Sequence, residues 1–512
     1  MPPHFDAPAD WRVIYYFLTC PDDETLRLWD EIFTEIASVG SCVTISETNS
    51  PPSNENITPH VHVLAQYEQL EKNGNAAHQM LRRYYLMPSS KRACTSMPTT
   101  TRDLVSSGWA EDVPLDVDIR RRLTTYFNWC NDHFPARHTA VYFLGHGSGT
   151  LGLLYSVLRM LETGYPVDIE LVRKLLNLLQ IEFDFISPLG IDKEKVTDKL
   201  LEFLQTDQAE RLIATENAYG TTVFSGKGRE SLSITDLGRI FSETLTGAGR
   251  KVDIIGFNSC SMLNFENAYE LSFCGCKYLY AFPASQMVSF PHRMWLSWLY
   301  SGSRTILGRF PGMNPISPER FLKAAFQMEV MNKLPASNFA CCASGVVKTA
   351  NSQIVGEKLN AFADEVLKLF EIIDSCNSTD LDRREAKHQV QILQDLRFSS
   401  RLYIAKDRDL LGFLGPVSEH RELRQTLRDA AVLATESIKN AFLHHDTGII
   451  STSRQLVAYD FCNQIRNTQD PDAVSLSVFF PSRSSAALQS YRSANLRAVE
   501  DLAWLNMVER LF

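Results

Sequence analysis

The chain has 512 residues, of which 44% are hydrophobic and 22% charged, and its formal net charge is −9. This composition is typical of a soluble globular protein, and the length suits one large α/β core with an appended region or two to three ordinary domains. The acidic balance and the lack of a long Lys/Arg run argue against nucleic acid and membrane surfaces as partners.

The N-terminal segment and the cysteines bear on the location of the protein in the cell. Residues 1–10 lack a basic region followed by an apolar core, and the first apolar run has only about eight residues, so we expect neither a signal peptide nor a membrane span. The 11 cysteines are scattered, and Cys274/Cys276 and Cys341/Cys342 lie too close for ordinary zinc spacing. We therefore expect free thiols, no metal site and a cytoplasmic location.

The chain opens with a β-α-β pattern. Residues 11–18 predict a strand, residues 22–39 carry apolar side chains at helix spacing, and residues 42–45 predict a second strand. Such a unit implies a parallel sheet. Residues 48–60, rich in Asn, Ser and Pro, predict a surface loop, and residues 61–110 mix short helical and extended pieces.

Two later strands each lead to a reactive residue. A predicted helix over 115–133 runs into Thr139-Ala-Val-Tyr-Phe-Leu-Gly-His-Gly147, an apolar run that ends at His146. Lys251-Val-Asp-Ile-Ile-Gly-Phe-Asn-Ser-Cys260 predicts a buried strand that delivers Cys260 and continues into a helical segment. If the two strands are neighbours in a parallel sheet, their carboxyl ends bring both side chains together, as a Cys/His dyad requires.

The same segments supply further catalytic groups. Glycine at position 147 lets the backbone approach a substrate carbonyl, so the N–H groups of Gly147 and Cys260 are the candidate oxyanion site. A helix N-terminus behind the cysteine lowers the pKa of a thiol and favours the thiolate.

Both motifs resemble those of the clostripain-like cysteine peptidases of the caspase-like clan. That family has a strand ending in His-Gly and, later, Ile-Gly-Phe-Asp-Ala-Cys-Leu-Met followed by a helix with Ala-Tyr-Glu-Leu. This chain has Ile255-Gly-Phe-Asn-Ser-Cys-Ser-Met262 and then Ala268-Tyr-Glu-Leu271. Three further stretches are similar to family elements: Trp11–Leu18, Arg82–Leu86 and Val474–Pro481.

The resemblance implies an α/β fold with a caspase-like, mostly parallel sheet flanked by helices. Residues 1–300 would form the peptidase domain, with a helical insertion at about 153–230, and residues 301–512 a C-terminal α/β region packed on it. In that region the sequence predicts a strand near 343–347, helices over the ranges 355–376, 384–397 and 419–443, and a closing helix.

The activity implied by the resemblance is that of an intracellular cysteine endopeptidase acting on protein or peptide substrates. Cys260 would be the nucleophile and His146 the general base and acid, with no cofactor, although the resemblance leaves room for calcium and for a regulatory protein partner. A catalytically silent caspase-like scaffold stays open as an alternative.

A more remote alternative is a dinucleotide-binding enzyme. Gly147-Ser-Gly-Thr-Leu-Gly152 fits G-x-G-x-x-G directly after a predicted strand, with Glu162 or Asp168 as a ribose ligand. A histidine sits in this turn, however, and the cysteine motif would have no role, so we rank this interpretation last.

The chain departs from the family at the pocket for the residue before the cleaved bond. The predicted pocket residues are Asn258, Ser285, Gln286 and Met287. Asn258, Gln286 and Met287 replace family acids, and an Arg-accepting pocket needs carboxylates. We therefore expect no strict preference for Arg or Lys, and Asn258→Asp should favour basic residues again if this side chain lines the pocket.

Neighbouring charges bear on the same prediction. His292 and Arg293 follow closely in sequence, so we expect a neutral to slightly positive pocket. The alternative is that a nearby carboxylate, such as Asp253 or Glu266, restores a negative field.

Self-cleavage is a further expectation from the resemblance, because family members commonly cut themselves between the histidine and cysteine motifs. The segment 224–230 is Gly-rich and polar, so Lys227 and Arg229 are candidate processing sites. An ordinary turn before a helix at 235 is an equally good interpretation.

Overall fold

We describe the protein from a computed structural model. The described residues are 5, 7–17, 23–45, 57–73, 76–88, 108–113, 118–145, 186–187, 190–191, 193–203, 222–225, 228–246, 251–259, 262–282, 290–303, 316–333, 345–400, 402–404, 407–442, 476–480, 488, 491–492 and 496–511.

The strands in these residues are β1 Ala9–Phe17, β2 Cys42–Ile45, β3 Ile57–Asn73, β4 Ala76–Tyr85, β5 Trp109–Val113, β6 Ala136–Leu144, β7 Ile186–Ser187, β8 Gly190–Ile191, β9 Thr222–Ser225, β10 Gly228–Ser231, β11 Val252–Asn258, β12 Cys276–Ala281, β13 Gly345–Lys348, β14 Leu402–Ile404, β15 Asp407–Asp409 and β16 Ser477–Phe479.

The helices are α1 Asp23–Val39, α2 Ile119–His133, α3 Lys193–Phe203, α4 Ile234–Glu243, α5 Phe265–Ser272, α6 His292–Ser303, α7 Pro318–Lys333, α8 Thr349–Asp374, α9 Asp380–Ser399, α10 Leu410–Glu419, α11 Gln425–Ala441, α12 Arg497–Asp501 and α13 Trp504–Leu511. None of these described helices combines the length and the apolar character that crossing a membrane requires.

One large sheet organises the described part of the chain. It has nine strands there, and β12, β11, β6, β1 and β3 lie side by side in parallel. Antiparallel strands extend it at both edges, with β13 beside β12 and β4 followed by β5 beside β3. All residues of β1 and β11 are buried, as expected for parallel strands covered on both faces. The predicted fold class, a mostly parallel α/β sheet flanked by helices, is confirmed.

The two faces of the sheet carry separate apolar cores. On one face, Val141 and Ile255 pack with residues of α2, α4, α5 and α8. On the other face, Tyr142 and Ile254 pack with residues of α1, α6 and α7. Successive strand residues therefore serve opposite layers, which is the period of two expected for a strand.

The opening segment differs in two respects from the sequence prediction. β1 and α1 are where the periodicity predicts them, but β2 pairs antiparallel with β3 and does not pair with β1. The parallel neighbours of β1 are β3 and β6. β3 already begins at Ile57, so the predicted loop over 48–60 is wrong for its last four residues. The described residues of 61–110 form the paired strands β3 and β4 and the start of β5, in place of the predicted mixture of short helical and extended pieces.

The insertion predicted at about 153–230 is only partly described. It contains α3, the two-stranded ladder of β7 with β8, and most of the β9–β10 hairpin. Residues 153–185 of this predicted insertion lie outside the described residues.

The region after residue 300 supplies part of the main sheet and of its helical cover. β13 pairs with β12, and α8 contacts α5 as well as β12. The predicted helices over 355–376 and 384–397 correspond to α8 and α9, whereas the stretch 419–443 is the end of α10 followed by α11. A domain boundary at residue 300 stays a prediction.

Candidate active site

The strands that precede His146 and Cys260 are neighbours and end together. β6 and β11 are parallel, and their register pairs Leu144 with Asn258 as the last couple. His146 and Cys260 each stand two positions beyond this couple in sequence. Both residues, and Gly147, lie outside the described residues. The structure therefore shows that the two strand ends are adjacent, and the dyad itself stays a prediction.

A glycine accounts for the close fit between these two strands. Gly256 is paired with Tyr142, and a Cβ atom at position 256 would lie 2.2 Å from Cδ1 of Tyr142. The tyrosine ring therefore lies over the space that any larger side chain would occupy. Glycine inside a strand commonly marks such a close approach, and this is the signal that sequence reasoning missed in Ile255-Gly-Phe.

Asn258 closes β11 with a buried side chain that is 2% exposed. Its Oδ1 accepts a hydrogen bond from the backbone N–H of Phe290 at 3.1 Å. The other predicted pocket residues, Ser285, Gln286 and Met287, lie outside the described residues. Asn258 thus has a partner 32 residues away in the chain, and its role in a substrate pocket stays a prediction.

His292 contributes no positive charge near this strand end. Its side chain is fully buried, and burial lowers its pKa to about 3. The rings of Tyr15 and Tyr142 meet it edge-on, with centroid distances of 5.2 and 5.5 Å. Its imidazole is therefore neutral at pH 7, and the charge of the pocket as a whole stays a prediction.

Arg293, the other predicted source of positive charge, is exposed on α6. Burial raises the pKa of Glu35 in α1, and the charge of Arg293 acts against this rise. The two side chains therefore interact electrostatically across the helical layer.

The two carboxylates considered as sources of a negative field have partners elsewhere. Asp253 is 1% exposed and forms an ion pair with Lys277, while its Oδ2 accepts the N–H of Thr139 at 3.0 Å. Although burial raises its pKa, hydrogen bonds from His138, Lys277 and Thr139 bring the net pKa below the ordinary value. These contacts lie near the amino end of β11, away from Asn258.

Glu266, the second carboxylate, is also 1% exposed. Its Oε1 accepts a hydrogen bond from the hydroxyl of Tyr491 at 3.1 Å. This contact joins the helix that follows the cysteine motif to the C-terminal part of the chain.

α5 begins five positions after Cys260, as the sequence predicts. Asn264 caps it, because its Oδ1 accepts the N–H of Asn267 at 2.7 Å, an arrangement that stabilises a helix N-terminus. The Ala-Tyr-Glu-Leu motif on this helix also contacts the C-terminal segment. Tyr269 donates to Asp501 at 3.2 Å, and Glu270 accepts the N–H of Arg497 at 3.1 Å.

The candidate processing segment is a hairpin. Ser225 pairs with Gly228 in the antiparallel ladder of β9 and β10, and Arg229 lies in β10 opposite Phe224. Lys227 lies outside the described residues. The helix expected at 235 is α4, which begins at Ile234, and cleavage at either site stays a prediction.

Two further sequence predictions concern ligands. The glycines of 147–152 and the candidate ribose ligands Glu162 and Asp168 lie outside the described residues. Within the described residues, no group of three or more His, Cys, Asp or Glu side chains is placed to hold a metal ion.

Comparison with known proteins adds a structural likeness. No family model matches the sequence, and no curated protein matches it. The fold is similar to solved C11, or clostripain-like, cysteine proteases. One is a secreted C11 protease from Bacteroides thetaiotaomicron bound to an irreversible peptide inhibitor, at 14% identity and a TM-score of 0.43, covering 85% of this chain and 83% of that one.

A second similar structure is an inactive zymogen C11 protease from Parabacteroides distasonis. It has 11% identity and a TM-score of 0.44, with 98% of this chain and 99% of that chain covered. The motifs of this chain resemble the same family.

Proposed function

We propose that this protein is a cysteine endopeptidase in which Cys260 and His146 form the catalytic dyad. The observation that supports this best is the parallel register of β6 and β11, which ends at Leu144 and Asn258. Neighbouring strands lie about 4.8 Å apart. Side chains that leave two such strands at the same register start within reach of each other.

The proposed reaction is acyl transfer followed by hydrolysis. His146 takes the thiol proton of Cys260, and the sulfur attacks the peptide carbonyl carbon. The N–H groups of Gly147 and Cys260 stabilise the negative oxygen. As the C–N bond breaks, His146 returns the proton to the leaving amine, and water then hydrolyses the thioester to release the acid and the free thiol.

The described residues around the strand ends suit this chemistry. Gly256 leaves room for the ring of Tyr142 where the two strands pair. The capped N-terminus of α5 follows the cysteine, and its partial positive charge favours a thiolate nearby.

The proposal includes a substrate preference that is not strictly Arg or Lys. Asn258 is uncharged, His292 is neutral, and Asp253 and Glu266 are engaged in buried contacts. An Arg side chain that enters a pocket without a carboxylate loses solvation at a cost of about 1–3 kcal/mol, or roughly ten- to a hundredfold in kcat/KM.

Three parts of the proposal rest on sequence alone: the cytoplasmic location, regulation by a protein partner and regulation by self-cleavage. The proposed steps use groups of this chain only, and a role for calcium, which the resemblance leaves open, stays a prediction. Mass spectrometry of the purified wild-type protein tests self-cleavage, because a single intact chain after activation excludes cutting at Lys227 or Arg229.

A peptide-library cleavage profile of the wild-type protein beside Cys260→Ala and His146→Ala tests the proposed activity. Because the dyad acts as a unit, each variant should lose cleavage by roughly a thousandfold or more while staying folded. A thiol-directed peptide warhead should label Cys260 in the wild-type protein. Near-full activity in either variant would show that the dyad is wrongly assigned, and a wild-type protein that neither cleaves nor reacts would be a silent scaffold.

A further inference from the structure

Three ring side chains meet on the sheet face that α1, α6 and α7 cover. Tyr15 in β1 and Tyr142 in β6 are partners in the parallel register, and their rings stack with centroids 5.5 Å apart. The imidazole of His292, the first residue of α6, meets both rings edge-on, at 5.2 and 5.5 Å. All three residues are at most 1% exposed. The packing therefore brings three groups that can form hydrogen bonds into one buried place.

Neighbouring residues fix where these rings lie. Tyr142 is also the register partner of Gly256 in β11, and its ring occupies the space that a Cβ atom on this glycine would need. Trp295 meets the imidazole of His292 edge-on at 5.4 Å, and its indole N–H donates to the carbonyl of Ala325 at 2.9 Å. The indole N–H is thus already bonded elsewhere and does not serve the imidazole.

The polar atoms of these three side chains have no hydrogen-bond partner in the described part of the chain. This holds for the phenol oxygens of Tyr15 and Tyr142 and for both imidazole nitrogens of His292. A neutral imidazole has one N–H donor and one acceptor nitrogen, and a phenol can donate and accept. Since buried polar side chains are nearly always hydrogen-bonded, four such atoms in one place point to a bound molecule that supplies the bonds.

Aromatic ring faces do not replace such a molecule. A ring face can accept a weak hydrogen bond from an imidazole N–H, and the rings around His292 stand at 76° to 83° to it. A ring face has no donor, however, so it offers nothing to the second imidazole nitrogen, which accepts. No described phenol O–H bonds to that nitrogen either.

The three side chains suit a neutral molecule. Burial raises the pKa of Tyr15 and of Tyr142 and lowers the pKa of His292 to about 3, so all three are uncharged at pH 7. An ion bound among them would lose its hydration and meet no opposite charge on these groups. Water both donates and accepts, and a buried water typically makes about two to four hydrogen bonds to polar groups that lack other partners.

We propose that Tyr15, Tyr142 and His292 form a buried water site, in which ordered water bridges the two phenols and the imidazole. The water joins β1 and β6 to the first turn of α6 by hydrogen bonds that the three side chains do not make with one another. The site follows from the packing of these residues and is independent of the proposed catalytic dyad.

Removal of one phenol oxygen tests the site, because the sign of the stability change separates a hydrated hydroxyl from one without a partner. Tyr142→Phe should lose a hydrogen bond, and its unfolding equilibrium constant, measured with urea, should rise about fivefold. A constant that is unchanged or lower would overturn the proposal, since removing an unbonded hydroxyl costs nothing. Tyr126→Phe is the matched control, because Tyr126 is also fully buried and its hydroxyl donates to the carbonyl of Tyr15 at 3.2 Å. The control should show a rise of similar size.

The double variant tests whether the two phenols share the water. Tyr15→Phe alone should also raise the unfolding constant about fivefold. If one water serves both phenols, the second substitution removes less than the first, and the double variant should rise about tenfold and stay below the product of the single changes. A rise equal to that product would overturn the bridge.

A high-resolution crystal structure of the wild-type protein identifies the bound molecule and does not depend on any variant folding. Density for a single atom about 2.5–3.2 Å from a phenol oxygen and an imidazole nitrogen would support the water site. Density for a larger molecule, or no density at this position, would overturn it even if Tyr142→Phe is less stable. Neither result depends on whether the protein cleaves peptides.

Discussion

The two ends of β11 differ in how their buried polar side chains are paired. At the amino end, Asp253 is ionised and is paired with Lys277 and with the N–H of Thr139. At the carboxyl end, Asn258 makes a neutral hydrogen bond to Phe290, and His292 nearby is buried without charge.

This difference has a functional meaning. A buried charge is tolerated when several donors surround it, and the amino end provides them through two neighbouring strands. The carboxyl end, where we place the catalytic dyad, has neutral groups that hold backbone positions without creating a strong local field. In the described part of β11, an ion pair thus stabilises the amino end, and a neutral hydrogen bond holds the carboxyl end, where we propose the dyad.

The largest loss of stability is expected from removing the buried charge at the amino end of β11. Asp253→Ala leaves Lys277 and the N–H of Thr139 without their acceptor. Breaking a buried ion pair costs about 3–5 kcal/mol, and Lys277 is partly exposed. We therefore expect the free energy of unfolding to fall by about 3 kcal/mol. Urea unfolding measures this loss. Asn258→Ala, which removes one neutral bond, should cost only about 1 kcal/mol, and the opposite order would contradict the comparison.

The next largest loss of stability is expected from a substitution in the middle of β11. Gly256→Ala places a methyl group against the ring of Tyr142, and overpacking of this kind costs about 2 kcal/mol. Because the two strands are forced apart just before the dyad, cleavage should fall more than stability alone explains. Gly238→Ala is the control, since its nearest neighbour to an added Cβ is the Cys274 sulfur at 3.3 Å. Equal activity in both variants would argue against a role for the close approach.

At acidic pH, His292 should lower the free energy of unfolding. An unfolded chain protonates this imidazole below about pH 6.5, whereas the folded protein does so only near pH 3. The unfolded state thus binds more protons between these values, so stability falls as the pH drops. The expected loss from His292 between pH 7.5 and 5.5 is about 1.4 kcal/mol.

His292→Gln should remove that part of the pH dependence, as measured by urea unfolding at the two pH values. His62 has a similarly low pKa of about 3, because of its burial and, second, the charge of Arg12. A substitution of His62 is therefore the matched comparison at a site away from β11. An unchanged pH dependence in His292→Gln would mean that His292 is not buried as a neutral group.

The smallest loss of stability is expected from removing a hydrogen bond between α5 and the C-terminal segment. Tyr491→Phe removes one donor from Glu266 and should lower the free energy of unfolding by about 1 kcal/mol. Peptide cleavage should change little, because the helix keeps its cap at Asn264. A loss of cleavage without loss of stability would show that the C-terminal segment tunes the site directly.

Much of the sheet could be predicted from sequence because its strands are short apolar runs with clear ends. The runs that end before His146 and Cys260 are β6 and β11, and the helix-spaced stretches after residue 350 are α8 and α9. The β3–β4 hairpin was missed because polar residues such as His62 and Gln66 interrupt its apolar pattern, although both are buried. The direction of β2 also depends on pairing, which a run of four residues does not reveal.

The sequence by itself determined which residues end the two central strands, and it placed a histidine and a cysteine just beyond them. Only the tertiary structure decided that these strands are neighbours in register, that Asn258 accepts a bond from Phe290, and that His292 is uncharged. The reason is physical: strand formation and side-chain spacing are local properties. Strand order, burial and the pKa of a buried imidazole depend on residues far apart in the chain, whose contacts form only when the layers pack.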